Sequence, residues 1–587
     1  MTTPDDHAVP PADLATGPEA PPAEPAATPP EEPPAPPAEP ATPPDRSRTR
    51  YVLAGVALLV VVALVVSAVT WNQPAPDTAP ASRPAAETTL RARPNGVDAV
   101  IVGSAPSDWD PAVQSDYGSA STIAQVFEGL TAVDAQGAVQ PALAESWRVE
   151  DGGHRLVFTL RDGITYSDGT PITADDVVAS WLRLLDPAKP SPLASLLSDV
   201  VGAKERLAGR AAPDSVGIHA DGREVSVEFR RPSAYFPAIA ASPTLAVLAP
   251  STIAAFHGAQ LPTDLVVSGA YRPTSETPDG VTLAANRAYW AGEPPLKSIL
   301  VATDLGGQSV VEAFEAGDID YGRISDFDAG WIAYDATLGH QLRRHTEESV
   351  DYYGFDTTRP PFDDVRVRQA FGKAVDWRRI VGLTTPDAIP ATSLVPPGVP
   401  GRSDSDAVPG YDPEGARRLL ADAGYPSGKG FPETALVTQG YAWDGPIARQ
   451  IKDVLGITLR QEAMPFETYF ERLEGGDGPT FWAMSWVADY PAPQDFLGLL
   501  LESGSTNNYG RWSDADYDSA IDAAASTDDP AEQARRYAEA EAIVRDAVPL
   551  VPMAYHDGWA LGRDDLVGTE VSGLGILRFA GLDRVAP

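Results

Sequence analysis

The sequence predicts a mixed α/β protein that follows a polar N-terminal arm and one membrane-spanning segment. Three observations support this: strand–turn–strand patterns, apolar residues at helical spacing, and a long uncharged apolar run near the N-terminus. The chain has 587 residues, of which 43% are hydrophobic. That length is too great for one ordinary domain and allows a substantial core, so we expect several structural units.

The N-terminal arm, residues 1–50, has a composition that disfavours folding. It contains sixteen Pro separated mainly by Ala and Glu, with nine acids and three Arg. Such a segment cannot bury enough apolar surface to offset the entropy lost on ordering. We therefore predict a disordered arm with extended polyproline character.

Residues 51–71 form an uncharged apolar run with Tyr51 and Trp71 at its ends. A helix of roughly 20 residues crosses the ~30 Å hydrocarbon core of a bilayer. Three Arg within residues 46–50 precede the run, so the positive-inside rule places the arm in the cytoplasm and the remainder outside. We predict an uncleaved signal anchor followed by a Pro/Ala-rich linker at 72–96. The alternatives are a cleaved signal peptide, whose apolar core is usually shorter, and a buried core helix.

After residue 97, strand and helix patterns alternate. Residues 154–172 predict a strand, an Asp-Gly turn and a second strand, and residues 215–229 predict a hairpin around Asp221–Gly222. Helices are predicted by apolar spacing and end signals, at 173–187, 365–383, 412–426 and 529–549. Periodicity alone indicates α/β lobes and no particular fold.

Composition also excludes several function classes. The net charge is −38, whereas a nucleic-acid-binding protein needs a basic surface. The absence of Cys removes disulfides, Cys zinc sites, thiol catalysis and lipidation on Cys. The seven His show no metal-ligand spacing, and we find no GxSxG, metalloprotease or nucleotide-binding motif. We therefore expect a protein that is not an enzyme and needs no metal or cofactor.

Two carboxylates stand in an apolar run at residues 481–501. Asp489 and Asp495 lie there among aromatic and aliphatic residues, and the run contains no Lys or Arg. Burying an unpaired carboxylate is costly, so such a group needs a partner. That partner comes either from elsewhere in the fold or from a ligand.

Seven segments, in order, resemble the extracellular solute-binding proteins of peptide ABC importers, solute-binding protein family 5. The segments are 126–187, 266–273, 286–299, 311–322, 360–376, 486–497 and 535–553. The resemblance implies a two-lobed periplasmic-binding-protein-like fold of type II that closes around its ligand. It assigns 97–125, 252–358 and 550–587 to lobe I, 126–251 to an extra subdomain of lobe I, and 359–549 to lobe II.

The resemblance also implies a binding site. Asp489, in Ala488-Asp489-Tyr490, would pair with the α-ammonium of a peptide. Ser485, Trp486 and Val487 would offer backbone groups to the extended peptide, and Tyr117 and its neighbours would do so from the other lobe.

Other interpretations of these residues remain open. Asp489 is alternatively a turn cap or the partner of a distant Arg. We expect Asp495 to cap the following helix, Trp482 to lie in the core, and Asp363 and Asp364 to serve the N-terminus of the next helix.

The implied function is a membrane-anchored extracellular receptor, monomeric, that captures short peptides and delivers them to the permease and ATPase subunits of an ABC importer. The sequence departs from the family in three ways: it lacks a Cys for lipidation, residues 196–199 lack aromatic side chains, and Trp377 stands where Arg is usual. The departure at 196–199 leaves ligand length and side-chain preference open. Alternatives are another solute (a metal–chelator complex, haem or a sugar) and a sensor that signals through the Pro-rich arm.

Overall fold

The structure is a computed structural model that describes residues 96–585, except residues 115, 257, 259, 386, 476 and 477. The predicted arm, the predicted anchor and nearly all of the predicted linker lie outside the described residues. Within the described part, no helix is both long and apolar enough to cross a bilayer.

The strands of the described part are short and spread along the whole of it. In chain order they are β1 Ala99–Val102, β2 Thr131–Val133, β3 Val139–Pro141, β4 Ala144–Glu150, β5 Arg155–Leu160, β6 Ile218–Asp221, β7 Glu224–Glu228, β8 Tyr271–Thr277, β9 Gly280–Ala285, β10 Ser298–Ala302, β11 Tyr321–Ile324, β12 Leu342–Thr346, β13 Ser349–Phe355, β14 Ile389–Pro390, β15 Ala435–Thr438, β16 Arg460–Ala463, β17 Phe481–Val487, β18 Leu550–Tyr555, β19 Asp557–Gly562, β20 Leu566–Val567 and β21 Asp583–Arg584.

Helices alternate with these strands. In chain order they are α1 Tyr117–Val126, α2 Ala174–Leu184, α3 Ala203–Leu207, α4 Phe236–Ile239, α5 Pro250–Ala255, α6 Val310–Ala316, α7 Asp326–Ile332, α8 Val365–Ala374, α9 Trp377–Thr384, α10 Pro413–Asp422, α11 Asp444–Leu455, α12 Phe466–Glu474, α13 Pro493–Leu501, α14 Ala515–Ala525 and α15 Pro530–Ala547.

Three larger sheets organise the described residues. A seven-stranded mixed sheet has the order β12-β19-β11-β1-β10-β9-β8, and a six-stranded mixed sheet has the order β14-β18-β13-β17-β15-β16. An antiparallel four-stranded sheet, β4-β5-β7-β6, lies within residues 144–228. The mixed pairing and the intervening helices confirm the predicted α/β class.

Locally specified elements agree with the sequence. Thr173 forms a capping box with Asp176 at the start of α2, and the hairpin around Asp221–Gly222 pairs Asp221 with Glu224.

The helix predicted at 365–383 is instead two helices, because Asp376 caps a new helix after the extended Val375. The second strand predicted in 164–172 is also wrong: a tight turn there leaves only an isolated bridge between Thr165 and Pro171.

Two chain crossings join the two mixed sheets. The chain passes from β12 to β13 through Glu347 and Glu348, and returns from β18 to β19 through His556. The crossings are tied together, since the Glu347 N–H donates to the His556 carbonyl at 2.9 Å.

The strand pairing corrects where the crossings fall. The predicted lobe I ranges included residues 349–358 and 550–556, but β13 and β18 pair within the six-stranded sheet. The reason is the long ladder between β13 and β17, which runs from Ser349↔Val487 to Phe355↔Phe481. The change of sheet therefore occurs at Glu347–Glu348 and at His556.

An aromatic core fixes the strand that carries the candidate site. Phe481, at the start of β17, stacks on Phe355 of β13 with ring centroids 5.0 Å apart and meets Phe371 of α8 edge-on at 5.7 Å. Burying such a side chain contributes about 1.5–3 kcal/mol. Trp482, the next residue, is 2% exposed and belongs to the core on the other face of the sheet, as predicted.

Candidate ligand-binding site

One edge of strand β17 has no partner strand over most of its length. It pairs with β13 along its full length, but with β15 only at Phe481 and Trp482. Among the described strands, none pairs with residues 483–487 on the edge opposite β13. An unpaired strand edge presents backbone donors and acceptors that an extended peptide can bind.

Asp495 organises the turn that follows β17. One of its carboxylate oxygens accepts a hydrogen bond from Trp486 Nε1 at 2.8 Å, and the other accepts one from the Asp489 N–H at 3.2 Å. The prediction that Asp495 caps α13 is wrong, because Ala492 is the N-cap residue and makes no side-chain bond. Asp495 lies in the first turn of α13, fully buried, and its carboxylate reaches back to the strand and turn.

Asp489 faces open space between the lobes. Its side chain is exposed and borders two cavities, of about 430 and 310 Å³. Among the described residues its carboxylate forms no ion pair. The three Arg that line these cavities have other partners: Arg578 pairs with Glu128 at 2.6 Å, Arg230 pairs with Asp199 at 3.1 Å, and Arg231 pairs with Asp522 at 2.7 Å and with Glu502.

The acids around this turn have raised pKa values. Although Asp489 is open to the cleft, protein surrounds most of it, and the resulting desolvation raises its pKa. Burial raises the pKa of Asp495 far more, and the nearby charge of Asp489 adds to that rise. Burial alone raises the pKa of Glu348, in the first crossing, to about 7. A cation placed here would lower the pKa values of Asp489 and Asp495, and so hold both carboxylates ionised.

The larger cavity, which we call the subdomain cavity, lies between residues 195–239 and residues 489–507. Its aromatic lining comes from Phe229, Tyr235, Phe236 and Tyr490, and none of these lies within residues 196–199. Tyr235 stacks on Tyr490 with ring centroids 6.0 Å apart and an angle of 8° between the planes. The Ala234 N–H also donates to the carbonyl of Ala525 at 2.8 Å, so this side of the cleft is closed.

The smaller cavity, which we call the front cavity, joins the two segments that the resemblance paired. Val487 and Asp489 line it from one side, and Gln114 and Asp116 line it from the segment after Asp110–Pro111. The sequence indicated Tyr117 at this position. Tyr117 begins α1, and its side chain lies outside the described residues.

The other residues predicted to bind ligand, Ser485, Trp486 and Val487, differ from one another in their surroundings. Val487 is 61% exposed and lines the front cavity, whereas Ser485 is exposed but lines neither cavity. Trp486 is half-buried and anchored to Asp495, so its side chain supports the turn. Asp364 caps α8 by accepting from the Arg366 N–H at 2.9 Å, as predicted.

Sequence reasoning did not find Gln114, Asp116 or Glu348. The first two follow the Asp110–Pro111 pair that marked the segment, which was the available signal. Glu348 carried no signal, because its surroundings come from segments distant in the sequence, such as those of Ala488 and Gly573. Within the described part of the chain, no cluster of three or more His, Cys, Asp or Glu could hold a metal ion.

Comparisons with known proteins agree with this geometry. Residues 138–508 match the family described as bacterial extracellular solute-binding proteins, family 5 Middle. The probable deoxycholate-binding periplasmic protein YgiS of Escherichia coli K12 is 31% identical over 77% of this chain and 86% of its own. The oligopeptide-binding protein OppA of Bacillus subtilis 168 is 26% identical over 81% of this chain and 90% of its own.

A solved structure supports the fold. The unliganded open form of the periplasmic murein tripeptide-binding protein MppA superimposes with a TM-score of 0.73 at 24% identity, covering 83% of this chain and 97% of its own. Since the family match spans more than half of the sequence, the chain belongs to the bacterial extracellular solute-binding proteins of family 5.

Proposed function

We propose that this protein is an extracellular receptor that captures short peptides between its lobes and delivers them to an ABC importer. One observation carries the proposal: the Asp489 carboxylate borders both cavities, and no cation pairs with it among the described residues. A peptide α-ammonium is a cation of suitable size, and its charge-assisted hydrogen bond to a carboxylate is stronger than a neutral one.

The peptide backbone is proposed to bind beside the Asp489 carboxylate. In the proposed complex, an extended peptide adds to the open edge of β17 at Ser485, Trp486 and Val487, and its amino terminus reaches Asp489. Residues 114–117, including Tyr117, contribute from lobe I. Main-chain pairing accepts many side chains, which suits a receptor for mixed peptides. Lobe closure then excludes water and strengthens the ion pair.

Asp495 acts as a positioning residue in this mechanism. It holds the Asp489 N–H and the Trp486 indole, so it fixes the turn from which the Asp489 side chain projects. Its burial keeps it away from the ligand. The two acids therefore have different roles: Asp489 binds the cation, and Asp495 sets the position of Asp489.

An anionic ligand fits this cleft poorly. YgiS, the relative at 31% identity, is named as a probable deoxycholate-binding protein. Deoxycholate carries a carboxylate, and it would lie here beside Asp489, with the nearby Arg230, Arg231 and Arg578 already paired and the exposed Lys204 as the other cation on the cavity wall. Bringing like charges together in a partly desolvated site is unfavourable. No observation in the cleft favours haem, a metal–chelator complex or a sugar.

The proposal extends to the parts outside the described residues. Residues 51–71 would anchor a monomeric receptor in the cell membrane, with the Pro-rich arm (1–50) in the cytoplasm and the lobes held outside by the linker. The permease and ATPase subunits of the importer would be its partners. The lobe boundaries remain proposals too, with β13 and β18 moved to the lobe II sheet. A sensor acting through the Pro-rich arm stays the alternative, and deletion of residues 1–45 distinguishes it by abolishing a response while sparing uptake.

Native mass spectrometry of the full chain tests the ligand class. The protein is offered an equimolar mixture of tri- to pentapeptides, their N-acetylated counterparts, deoxycholate and haem. We expect it to retain peptides with free amino termini. Equal retention of acetylated peptides would remove the role of Asp489, and retention of deoxycholate or haem without peptides would remove the proposed function.

A further inference from the structure

A third cavity lies behind the cleft, where the chain crosses between the lobes. It has a volume of about 370 Å³ and shares no lining residue with the subdomain cavity or the front cavity. Tyr321 and His345 line it from the seven-stranded sheet, and Gly398 and Gly573 line it from other segments. We call it the hinge cavity, because its walls come from both sides of the crossing. Small-molecule sites measure about 300–1,000 Å³, so this one suits a small ligand.

One segment separates the hinge cavity from the cleft. Ser572, Leu574 and Ile576 line the front cavity, whereas Val571 and Gly573 line the hinge cavity. The segment therefore lines the front cavity with some of its residues and the hinge cavity with others. The hinge cavity is therefore a separate space with its own wall, rather than an extension of the peptide site.

Glu348 lines the hinge cavity with a carboxylate that has no hydrogen-bond partner among the described residues. Its backbone is fixed, since its N–H donates to the Gly573 carbonyl at 2.9 Å and its carbonyl accepts from the Ala488 N–H at 2.8 Å. The residue is 1% exposed, yet neither carboxylate oxygen is hydrogen-bonded by any residue that the structure describes. A Cβ at position 573 would lie 2.9 Å from Glu348 Oε1, so the side chain uses the room that this glycine leaves.

The charged groups nearby do not compensate Glu348. Arg344 Nε bonds Asp557 at 2.9 Å, and Arg343 lies 3.6 Å from Asp564, so both cations have acidic neighbours of their own. His345 Nε2 also points into a buried position without a partner among the described residues. Burial and the charge of Arg323 lower the pKa of His345, which keeps its ring neutral. The cavity therefore presents an uncompensated acid and a neutral ring nitrogen.

From this geometry we infer that the hinge cavity is a second ligand site, which takes a small organic ammonium ion that donates hydrogen bonds to Glu348. The ammonium N–H groups supply the donors that the buried carboxylate lacks. Metal ions are a poorer match, because no three ligating side chains converge within the described residues. The inference does not depend on peptide binding in the cleft.

Titration calorimetry on the full chain in detergent tests this site, with ethanolammonium and methylammonium as probes and ethylene glycol as the uncharged control. The Asp489→Asn variant is included because an ammonium probe could also bind in the cleft. We expect both ammonium ions to bind the wild type and Asp489→Asn with equal affinity. Glu348→Gln should weaken binding by tenfold or more, about 1.4 kcal/mol, and ethylene glycol should not bind.

A second variant tests the same site in case Glu348→Gln does not fold. Gln136 lies exposed at the mouth of the hinge cavity, so Gln136→Trp fills the mouth without disturbing the core. It should also abolish ammonium binding. Three results would overturn the inference: no ammonium binding to any variant, unchanged binding by both Glu348→Gln and Gln136→Trp, or binding lost only in Asp489→Asn.

Discussion

Two buried acids inside the lobes, Glu128 and Asp356, differ in their surroundings from three acids at the cleft and the chain crossing. In lobe I, Glu128 is 1% exposed and pairs with Arg578. In lobe II, Asp356 is equally buried and accepts from both Arg359, at 2.6 Å, and Arg511, at 2.7 Å. Asp489 and Asp495 at the cleft, and Glu348 at the chain crossing, have raised pKa values, and no Lys or Arg forms an ion pair with them among the described residues.

The difference separates two uses of a carboxylate. For Glu128 and Asp356, this chain supplies an Arg partner. An acid that has neither a cation nor a hydrogen-bond donor among the described residues, such as Glu348, costs stability in the free protein, and protonation or a ligand can recover that cost. Such groups are candidates for function, because perturbed pKa values gather at functional sites.

Replacing Asp489 by Ala should weaken peptide binding by about 2–5 kcal/mol, because the α-ammonium would lose its desolvated partner. The same change should not lower the free energy of unfolding, since it removes an acid without a cationic partner. Calorimetry with one tripeptide, together with urea unfolding, measures both quantities. A large loss of stability with unchanged peptide affinity would reverse the roles assigned here.

Arg578→Met should destabilise the protein by about 3 kcal/mol, because it leaves the buried Glu128 without its cation. Urea unfolding measures the loss. Arg535→Met is a matched control, since Arg535 forms exposed ion pairs on α15 whose removal costs at most about 1 kcal/mol. Equal effects of the two changes would contradict the structural role of the Glu128–Arg578 pair.

Glu348→Gln should alter how stability depends on pH. Burial raises the pKa of Glu348 from 4.5 to about 7, so the folded state binds the proton more tightly than the unfolded state. The wild type is therefore expected to lose stability as pH rises from about 4.5 to 7, by about 3 kcal/mol relative to the Gln variant.

Below pH 4.5 the ionisation of Glu348 should contribute little to the stability difference between the wild type and Glu348→Gln. Above pH 7 the difference between their free energies of unfolding should be constant. Thermal unfolding at half-unit pH intervals, without added amines, follows the difference. Parallel profiles for the two proteins across pH 4.5–7 would show that Glu348 is not the buried acid described here.

Trp486→Phe should have the smallest effect. It keeps the apolar packing but removes the hydrogen bond from Nε1 to Asp495, which leaves a buried acceptor unsatisfied. A loss of about 1 kcal/mol in peptide affinity is expected, through a less well fixed turn at Asp489. Affinity equal to that of the wild type would show that Asp495 positions Asp489 without help from the indole.

Local signals predicted much of the fold. The capping box at Thr173 and the Asp-Gly turn at 221–222 each depend on a few neighbouring residues, so a short stretch of sequence is enough to predict them. The strand expected in 164–172 failed because strand formation needs a partner, and here the chain closes on itself in a turn. The assignment of β13 to lobe I failed for a similar reason, since its partner β17 lies about 130 residues away.

The candidate site was only partly predictable. The apolar run around Asp489 drew attention to it, but the absence of a partner could be established only in three dimensions. Asp495 was misassigned because an acid in the first turn of a helix can serve the helix or reach back to the preceding strand. Sequence spacing does not distinguish these two positions.

The most direct test of the central claim is a double-mutant cycle between Asp489 and the peptide amino terminus. Calorimetry would measure one tripeptide, with a free and an acetylated N-terminus, against the wild type and Asp489→Asn. If the α-ammonium is the missing partner, acetylation should weaken binding to the wild type strongly and to the variant little, with a coupling free energy of about 2 kcal/mol or more. A coupling free energy near zero would contradict the account.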